Sequence, residues 1–178
     1  MPKGKGNPQL EEEKVFPSAL TLSVEALESA RGFHPVPAGT YEIQIPETRL
    51  RLSRAGGPML VVSCAPIVED DPMAGRFYDY LLLPVESMDA QQQESRHNDL
   101  KEFAQSANIS FPDLVESVQL AFDHFRSDDP PEFVVLEDLS NIEAMALVGL
   151  DPESTYEDQG VTKVSPEQNT IKKWIVGE

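Results

Sequence analysis

The chain has 178 residues, enough for one domain with a hydrophobic core and too few for two domains of ordinary size. Its 40% hydrophobic and 25% charged residues are typical of a globular protein, and no apolar run approaches the roughly 18 to 20 residues that span a bilayer. The formal net charge of -17 argues against a nucleic-acid binder, because lysine and arginine contacts to phosphates supply most nonspecific affinity. The N-terminal sequence lacks the apolar core of a signal peptide, so we expect a cytoplasmic protein.

The acidic residues are concentrated in the middle of the chain. From Glu86 to Asp158 there are 18 acidic and 3 basic residues, whereas the segment from Thr48 to Tyr80 holds four of each. The last eighteen residues are also near neutral. Two near-neutral segments therefore flank a strongly acidic one.

Two segments at the start of the chain are expected to lie outside the main domain. Residues 1–16 are polar, contain Gly and Pro and show no pattern, which predicts a flexible arm. The following "PSALTLSVEALESARG" has a capping residue at Ser18, apolar residues at helical spacing and a stop at Gly32. We therefore predict an N-terminal helical extension over residues 17–35.

Three strands are predicted next. The stretch "VPAGTYEIQI" alternates apolar and polar residues, and Pro46 after it indicates a bulge or an edge. In "RLRLSRAGGPMLVV" a strand with the basic residues Arg49 and Arg51 on one face runs into a Gly-Gly turn and returns as an apolar strand, which is typical of a hairpin. The third strand, "RFYDYLLLP", has one face of Arg and Tyr and one apolar face.

Helical material separates the third strand from the rest of the chain. Ser95 is placed to cap a helix with an apolar stripe, and Ser110 with Asp113 has capping-box-like spacing before a second helix. This predicts a helical insertion at about 95–126. The segment "FVVLEDL" is ambiguous, while "IEAMALVGL" and "NTIKKWIVGE" predict two closing strands around a loop rich in Asp, Glu and Gly. 

The order of these elements favours one architecture over residues 36–178. Five strands with helices between the third and the fourth are compatible with an OB-fold barrel, whose strand faces bind single-stranded nucleic acid or oligosaccharide. We therefore predict a mainly β protein with α-helices, an OB-fold-like five-stranded barrel with a helical insertion between strands 3 and 4 and an N-terminal helix.

Five short motifs resemble one family of phage-encoded proteins. They are "VPAGTYEIQI", "SRAGGPML", "NDLKEFAQSANI", "ALVG" and "NTIKKWI", and they extend over roughly residues 36 to 176. The family, formerly a domain of unknown function, is regarded as OB-fold single-stranded-DNA-binding or recombination-associated proteins. The hairpin motif of the family falls on Ser53, Arg54, Gly56, Met59 and Leu60, and its closing motif on Asn169, Ile171, Lys172 and Lys173. The resemblance implies a non-enzymatic phage protein that binds single-stranded DNA in DNA replication or recombination.

Nine residues form the candidate nucleic-acid-binding set. Binding a single strand without sequence preference needs a cationic groove for the backbone and aromatic faces for the bases. The first hairpin, the third strand and the last strand carry both kinds of residue and can converge on one side of a barrel. The set is Arg49, Arg51, Arg54, Arg76, Tyr78, Tyr80, Lys172, Lys173 and Trp174.

Ordinary structural roles compete with binding at these positions. Arg49 and Arg51 also suit a solvated strand face, and Tyr78 and Tyr80 also suit half-buried strand aromatics. Trp174 fits a core residue that closes the barrel better than it fits a stacking residue.

Catalysis, cofactors and metals find little support in the sequence. The three histidines are scattered without metal-ligand spacing, and Cys64, the only cysteine, lies in an apolar strand and is expected in the core. We therefore predict no catalytic residues, no metal site and no cofactor.

The acidity leaves other functions open. The segment 86–158 is suited to docking on a basic protein, as an adaptor or a DNA mimic. In a second alternative the protein is a weak single-strand binder, and its acidic segment repels duplex DNA and recruits a recombinase, annealing protein or helicase. A virion structural protein, with the N-terminal arm making assembly contacts, is the third alternative.

Overall fold

The structure, a computed structural model, describes residues 19–29 and 33–176 of the chain. The chain divides into two compact units, Met1–Gly32 and Phe33–Glu178. In the first unit a short helix, α1 (Val24–Ser29), begins where the Ser23 hydroxyl accepts a hydrogen bond from the Ala26 amide at 3.0 Å. The predicted arm over residues 1–16 lies outside the described residues, as do Ser18 and Gly32, which the sequence suggests as the ends of this helix.

The second unit is mainly β. Its strands are β1 (Gly39–Ile45), β2 (Thr48–Leu52), β3 (Pro58–Pro66), β4 (Phe77–Leu82), β5 (Val134–Val135), β6 (Ile142–Asp151), β7 (Ser154–Asp158), β8 (Val161–Ser165) and β9 (Gln168–Ile175). Two helices, α2 (Ala90–Ser106) and α3 (Phe111–Phe125), separate β4 from β5, and a 3-10 turn covers Glu137–Leu139. The predicted mainly β fold with α-helices is confirmed.

Seven strands form one antiparallel sheet in the order β5-β2-β3-β1-β6-β9, with β4 paired to the other edge of β3. β1 and β2 are separated only by Pro46 and Glu47, and both pair with β3. The Glu47 carbonyl still accepts a hydrogen bond from the Ser63 amide at 3.0 Å. Because proline cannot donate to the ladder, the chain bends here without leaving the sheet, as the sequence predicts for Pro46.

The sheet is open between β4 and β9. These strands lie side by side, but no backbone ladder joins them among the described residues. A side-chain contact spans the gap instead, since the Trp174 indole N–H donates to Asp79 Oδ2 at 2.9 Å. The closed five-stranded barrel expected from the sequence is therefore not shown.

The core lies between the inner face of the sheet and the two helices. Alternation places Ile43, Ile45 and Leu50 inside, fully buried, while their neighbours Glu42 and Gln44 point outward. α2 contributes the buried Phe103 and Ala104, and α3 contributes Leu114 and Ala121. These helical residues belong to the apolar stripes that the sequence predicts.

The helical insertion starts earlier than the predicted residue 95. α2 begins at Ala90 because the Asp89 carboxylate accepts a hydrogen bond from the Gln92 amide at 2.8 Å, which satisfies a free donor of the first turn. α3 begins as predicted, with the Ser110 hydroxyl accepting from the Asp113 amide at 3.2 Å.

The acidic segment between the two closing strands is a hairpin, not the predicted loop. β7 and β8 pair over five residues each, and every residue of the hairpin except Ser165 is exposed. Gln159 and Gly160 form the turn with φ of 54° and 80°, the left-handed backbone that a two-residue hairpin turn of this kind requires.

Candidate functional site

The outer face of β2, β3 and β4 carries the predicted arginine and tyrosine residues together. In the register of these strands Arg49 lies opposite Val61, and Val61 lies opposite Tyr80. One step along the same face, Ser63 lies opposite Tyr78. Because directly opposed residues of antiparallel strands share a face, the basic face of the hairpin and the aromatic face of the third strand form one surface.

This surface is the floor of an open cavity of about 550 Å³, which we call the arginine cavity. Four of the nine predicted residues line it: Arg49, Arg51, Tyr78 and Tyr80. The opposite wall comes from a distant part of the chain, namely Phe125 at the end of α3 and residues 130–133 before β5. The cavity volume lies in the range of about 300 to 1,000 Å³ common for small-ligand sites.

Arg49 is held in place by two neighbours. Its Nε donates to Glu47 Oε2 at 2.5 Å, and the guanidinium carbon lies 4.1 Å from the centre of the Phe133 ring, a cation–π contact. Arg51, two residues along the same strand face, is exposed and forms no ion pair with any described residue. The two arginines of the cavity therefore differ, since Arg49 is already neutralised and Arg51 is free.

The open seam between β4 and β9 forms a second cleft of about 500 Å³, the seam cleft. Arg76 lines it together with Tyr78, Tyr80 and the start of β9. Tyr78 and Tyr80 are 57% and 55% exposed, so an aromatic surface is open to solvent where the two concave regions meet. Arginines lie on both sides of these tyrosines, Arg49 and Arg51 in the arginine cavity and Arg76 in the seam cleft.

Arg54 lies at the exposed tip of the β2–β3 turn. The turn is closed by a 2.7 Å hydrogen bond from the Ser53 amide to the Gly57 carbonyl, and Gly56 has φ of 87°. A side chain is strained at that φ, which explains the glycine. Arg54 does not line the arginine cavity.

The remaining predicted residues lie elsewhere. Trp174 is 3% exposed and packs edge-on against Phe103 with ring centres 5.1 Å apart, so it is a core residue and offers no stacking face. Lys172 extends over Gly149 and lies 3.3 Å from Asp151, while Lys173 is exposed in a depression lined by β9 and α2. The last strand does not bring its three predicted residues to the arginine cavity.

Two titratable groups adjoin the site: Asp79, which is half-buried and lines the seam cleft, and Cys64, which is buried in the core. Burial raises the pKa of the Asp79 carboxyl, an effect that the hydrogen bond from Trp174 partly offsets. Burial, with Asp79 adding to it, raises the pKa of the Cys64 thiol, which is enclosed in the core as predicted. Cys64 is therefore a protonated core thiol and not a nucleophile.

The described part of the chain contains neither a metal-binding cluster nor a membrane-spanning helix. Within residues 19–29 and 33–176, no three His, Cys, Asp or Glu side chains are grouped as a metal ion would require. In the same ranges none of the helices combines the length and the apolar character needed to cross a bilayer.

Glu47, Phe133 and the rest of the 130–133 wall are not among the residues predicted from the sequence. Glu47 precedes Arg49 by two residues, the spacing that places both on one strand face, so a signal was present. Phe133 follows "SDDPPE", which only indicates a break in helix α3. Nothing local in that stretch shows that it returns to the first hairpin.

No protein-family model matches the chain, and no curated protein is significantly similar to it. The resemblance to phage single-strand-binding proteins, and the function that it implies, stay predictions.

Proposed function

We propose that the protein binds single-stranded DNA across the outer face of β2, β3 and β4, without catalysing a reaction. The observation that carries the proposal is the pair of exposed tyrosines, Tyr78 and Tyr80, between the arginine cavity and the seam cleft. Exposed arginines on both sides of the two tyrosines can contact phosphates, and the tyrosine rings can stack on bases.

The energetics favour a single strand over a duplex. Stacking a base on an aromatic side chain contributes about 1 to 3 kcal/mol, and only unpaired bases expose a face for it. Arg51, Arg54 and Arg76 are exposed and supply few phosphate contacts, against a net charge of -17. A duplex, which offers phosphates but no free base faces, gains little from this surface and is repelled by the rest of the molecule.

The fold proposed for this function is an OB-like barrel that is open at one seam. β1 and β2 act as one bent strand that pairs with β3 and β6, while β3 pairs with β4 and β6 pairs with β9. This is the order of a five-stranded OB barrel in which the last contact, β4 with β9, is made by side chains. In OB folds the second and third strands and the first hairpin loop bind oligonucleotides, and here these are β3, β4 and the turn bearing Arg54.

A role in phage DNA replication or recombination, in the cytoplasm of the host, belongs to the same proposal. It rests on the sequence motifs at 36 to 176 alone.

The test is a titration followed by fluorescence anisotropy. A labelled 30-mer oligothymidine is titrated with the full chain at 50 and 200 mM salt, with unlabelled duplex as competitor. We predict binding that weakens with salt and survives the duplex. The double variant Arg49→Ala with Arg51→Ala is expected to bind at least tenfold more weakly, a loss of about 1.4 kcal/mol or more.

A charge-matched control separates the site from the overall field. The double variant Lys172→Ala with Lys173→Ala also removes two positive charges, but from the face of β6 and β9. It should bind within about twofold of the wild type if contacts, and not net charge, carry the affinity. Equal losses in the two double variants, or no binding of wild type at 50 mM salt, would contradict the proposed site.

A second candidate function rests on the acidic segment 86–158. Of its 18 carboxylates, only Asp151 and Asp158 form ion pairs within the described part of the chain, and both pair with lysines from beyond the segment. Such a surface suits a basic protein partner, for which a recombinase, an annealing protein or a helicase is the proposed class. Loss of single-strand binding at low salt would favour this function over the first.

A further inference from the structure

The arginine cavity is electrically balanced. Its lining includes two positively charged residues, Arg49 and Arg51, and two negatively charged residues, Glu47 and Glu132. Arg49 is further occupied by Glu47 and by the Phe133 ring. A phosphate entering the cavity would therefore meet two carboxylates and only one free cation, Arg51.

The lining suits a flat, neutral group with hydrogen-bonding edges. Tyr78, Tyr80 and Phe133 supply aromatic surfaces, and Glu47 with Arg49 supplies acceptors and donors fixed side by side. Of the parts of a nucleic acid strand, only the base has this character. The interior of the cavity is thus suited to one base of the strand, and the phosphates are left to the exposed arginines Arg51, Arg54 and Arg76.

A carboxylate in the cavity, from Glu47 or Glu132, restricts which base the cavity can bind. A carboxylate accepts two parallel hydrogen bonds, and guanine alone presents two adjacent N–H donors, N1–H and N2–H, on its pairing edge. Adenine and cytosine present an amino group beside an acceptor, and thymine presents one N–H between two carbonyls. A fixed carboxylate therefore selects guanine.

Glu47 is the carboxylate that the structure holds in place. Its backbone carbonyl is tied to the Ser63 amide at 3.0 Å, and its side chain is tied to Arg49 at 2.5 Å. Glu132, by contrast, is exposed and has no hydrogen bond or ion pair with another described residue. Preorganisation favours the first of the two, since less side-chain freedom is lost on binding.

We propose that the arginine cavity is a guanine-preferring subsite in which Glu47 accepts hydrogen bonds from N1–H and N2–H of one guanine. Arg49 is a positioning residue that holds the Glu47 carboxylate through its Nε. This inference rests on the proposed single-strand binding, and it adds a base preference to a surface otherwise expected to ignore sequence.

The test compares probes that differ by one amino group. Thymidine-rich 30-mers carry isolated guanines, never adjacent, so that quadruplexes cannot form; in a second probe each guanine is replaced by inosine, whose hypoxanthine base lacks the N2 amine. The wild type is expected to bind the guanine probe about tenfold more tightly, because the carboxylate loses a charge-assisted hydrogen bond in the inosine probe.

Two isosteric variants assign the preference to a residue. Glu47→Gln turns one acceptor into a donor that faces the guanine donors, so its guanine-to-inosine ratio should fall to about twofold or less. Glu132→Gln makes the same change of charge in the same cavity and should keep the tenfold ratio. Urea unfolding of both variants, followed by Trp174 fluorescence, checks that their stability is unchanged.

The outcomes separate this inference from the function on which it rests. Wild type that binds both probes equally overturns the guanine subsite and leaves single-strand binding intact. Equal loss of the ratio in the two glutamine variants overturns the assignment to Glu47. Wild type that binds neither probe at 50 mM salt overturns the proposed function and this inference with it.

Discussion

One partly buried side-chain hydrogen bond bridges the seam between β4 and β9, and its removal gives a quantitative prediction. Trp174→Phe keeps an aromatic ring against Phe103 but deletes the N–H that reaches the Asp79 carboxylate at 2.9 Å. Hydrogen bonds to charged groups contribute about 1.5 to 3 kcal/mol, and the smaller ring adds a little to the loss. We expect Trp174→Phe to lower the free energy of unfolding by about 2 to 3 kcal/mol.

The partner residue makes the prediction specific. In Asp79→Asn the amide oxygen can still accept the indole N–H, and no charge is buried, so we expect a change of less than about 1 kcal/mol. In the double variant no unpaired carboxylate remains behind the phenylalanine. The decrease in the free energy of unfolding caused by Trp174→Phe should therefore be smaller by about 1 kcal/mol in the Asp79→Asn background than in the wild type.

The same carboxyl predicts a pH dependence. Because burial raises the pKa of Asp79 in the folded protein, protonated Asp79 contributes stability that is fully present below its unfolded-state pKa, about 3.9. That contribution is lost as the pH rises through the raised folded-state pKa. Between these two values the wild type should lose stability relative to Asp79→Asn as the pH increases.

The assay is urea unfolding at several pH values, read by far-UV circular dichroism because Trp174 is the only tryptophan. Strictly additive effects of the two substitutions would refute the claim that the charge of the Asp79 carboxylate strengthens the bond across the seam. Parallel pH profiles of wild type and Asp79→Asn would refute the claim that the carboxyl is buried there.

Two further predictions concern residues that position the sheet and the helices. Asn169 is 5% exposed, and its side chain forms hydrogen bonds with the Val36 amide and carbonyl at 2.8 Å and with the Gly149 carbonyl at 3.0 Å. Asn169→Ala should therefore lower the free energy of unfolding in urea by about 3 kcal/mol, and a decrease of less than about 1 kcal/mol would contradict these contacts. Ser110→Ala removes the hydroxyl that accepts a hydrogen bond from the Asp113 amide and should lower the stability measured by thermal unfolding by about 1 kcal/mol. Ser110→Asp should keep most of the wild-type stability, because a carboxylate can also cap the helix. Equal stability of the wild type and both variants would show that the cap is not used.

The parts of the fold that local patterns encode were predictable. Strict alternation in β1 and in the first hairpin separates Ile43 and Leu50, which are buried, from Arg49 and Arg51 on the outer face. The same two-residue period predicts the shared face of Tyr78 with its neighbours in β4. One face per strand is a local property, because it follows from backbone geometry alone.

The parts that depend on register and on distant contacts were not predictable. A bulge between Leu147 and Val148 changes the pairing of β6 with β9, so the sequence alone could not assign Lys172 and Lys173 to a face. Phe133 reaches Arg49 through tertiary packing that no short motif records. The β7–β8 hairpin was also missed, since its Gln-Gly turn is not one of the common Asn-Gly or Asp-Gly signals.

The candidate site was predictable only in part, because four of the nine predicted residues line the arginine cavity. Composition and alternation suggest which residues are suited to binding, but convergence depends on how the strands pair. The structure groups Arg49, Arg51, Tyr78 and Tyr80 around one cavity and puts Trp174 in the core.

The most direct test of the account is to find where a bound strand touches the protein. A single-stranded 30-mer containing 5-iododeoxyuridine is irradiated with the full chain, and the crosslinked peptides are identified by mass spectrometry. We expect crosslinks at Tyr78 and Tyr80, with Phe133 beside them, and their suppression by unlabelled single strand but not by duplex. Crosslinks confined to the face of β6 and β9, or to the acidic helices α2 and α3, would contradict it.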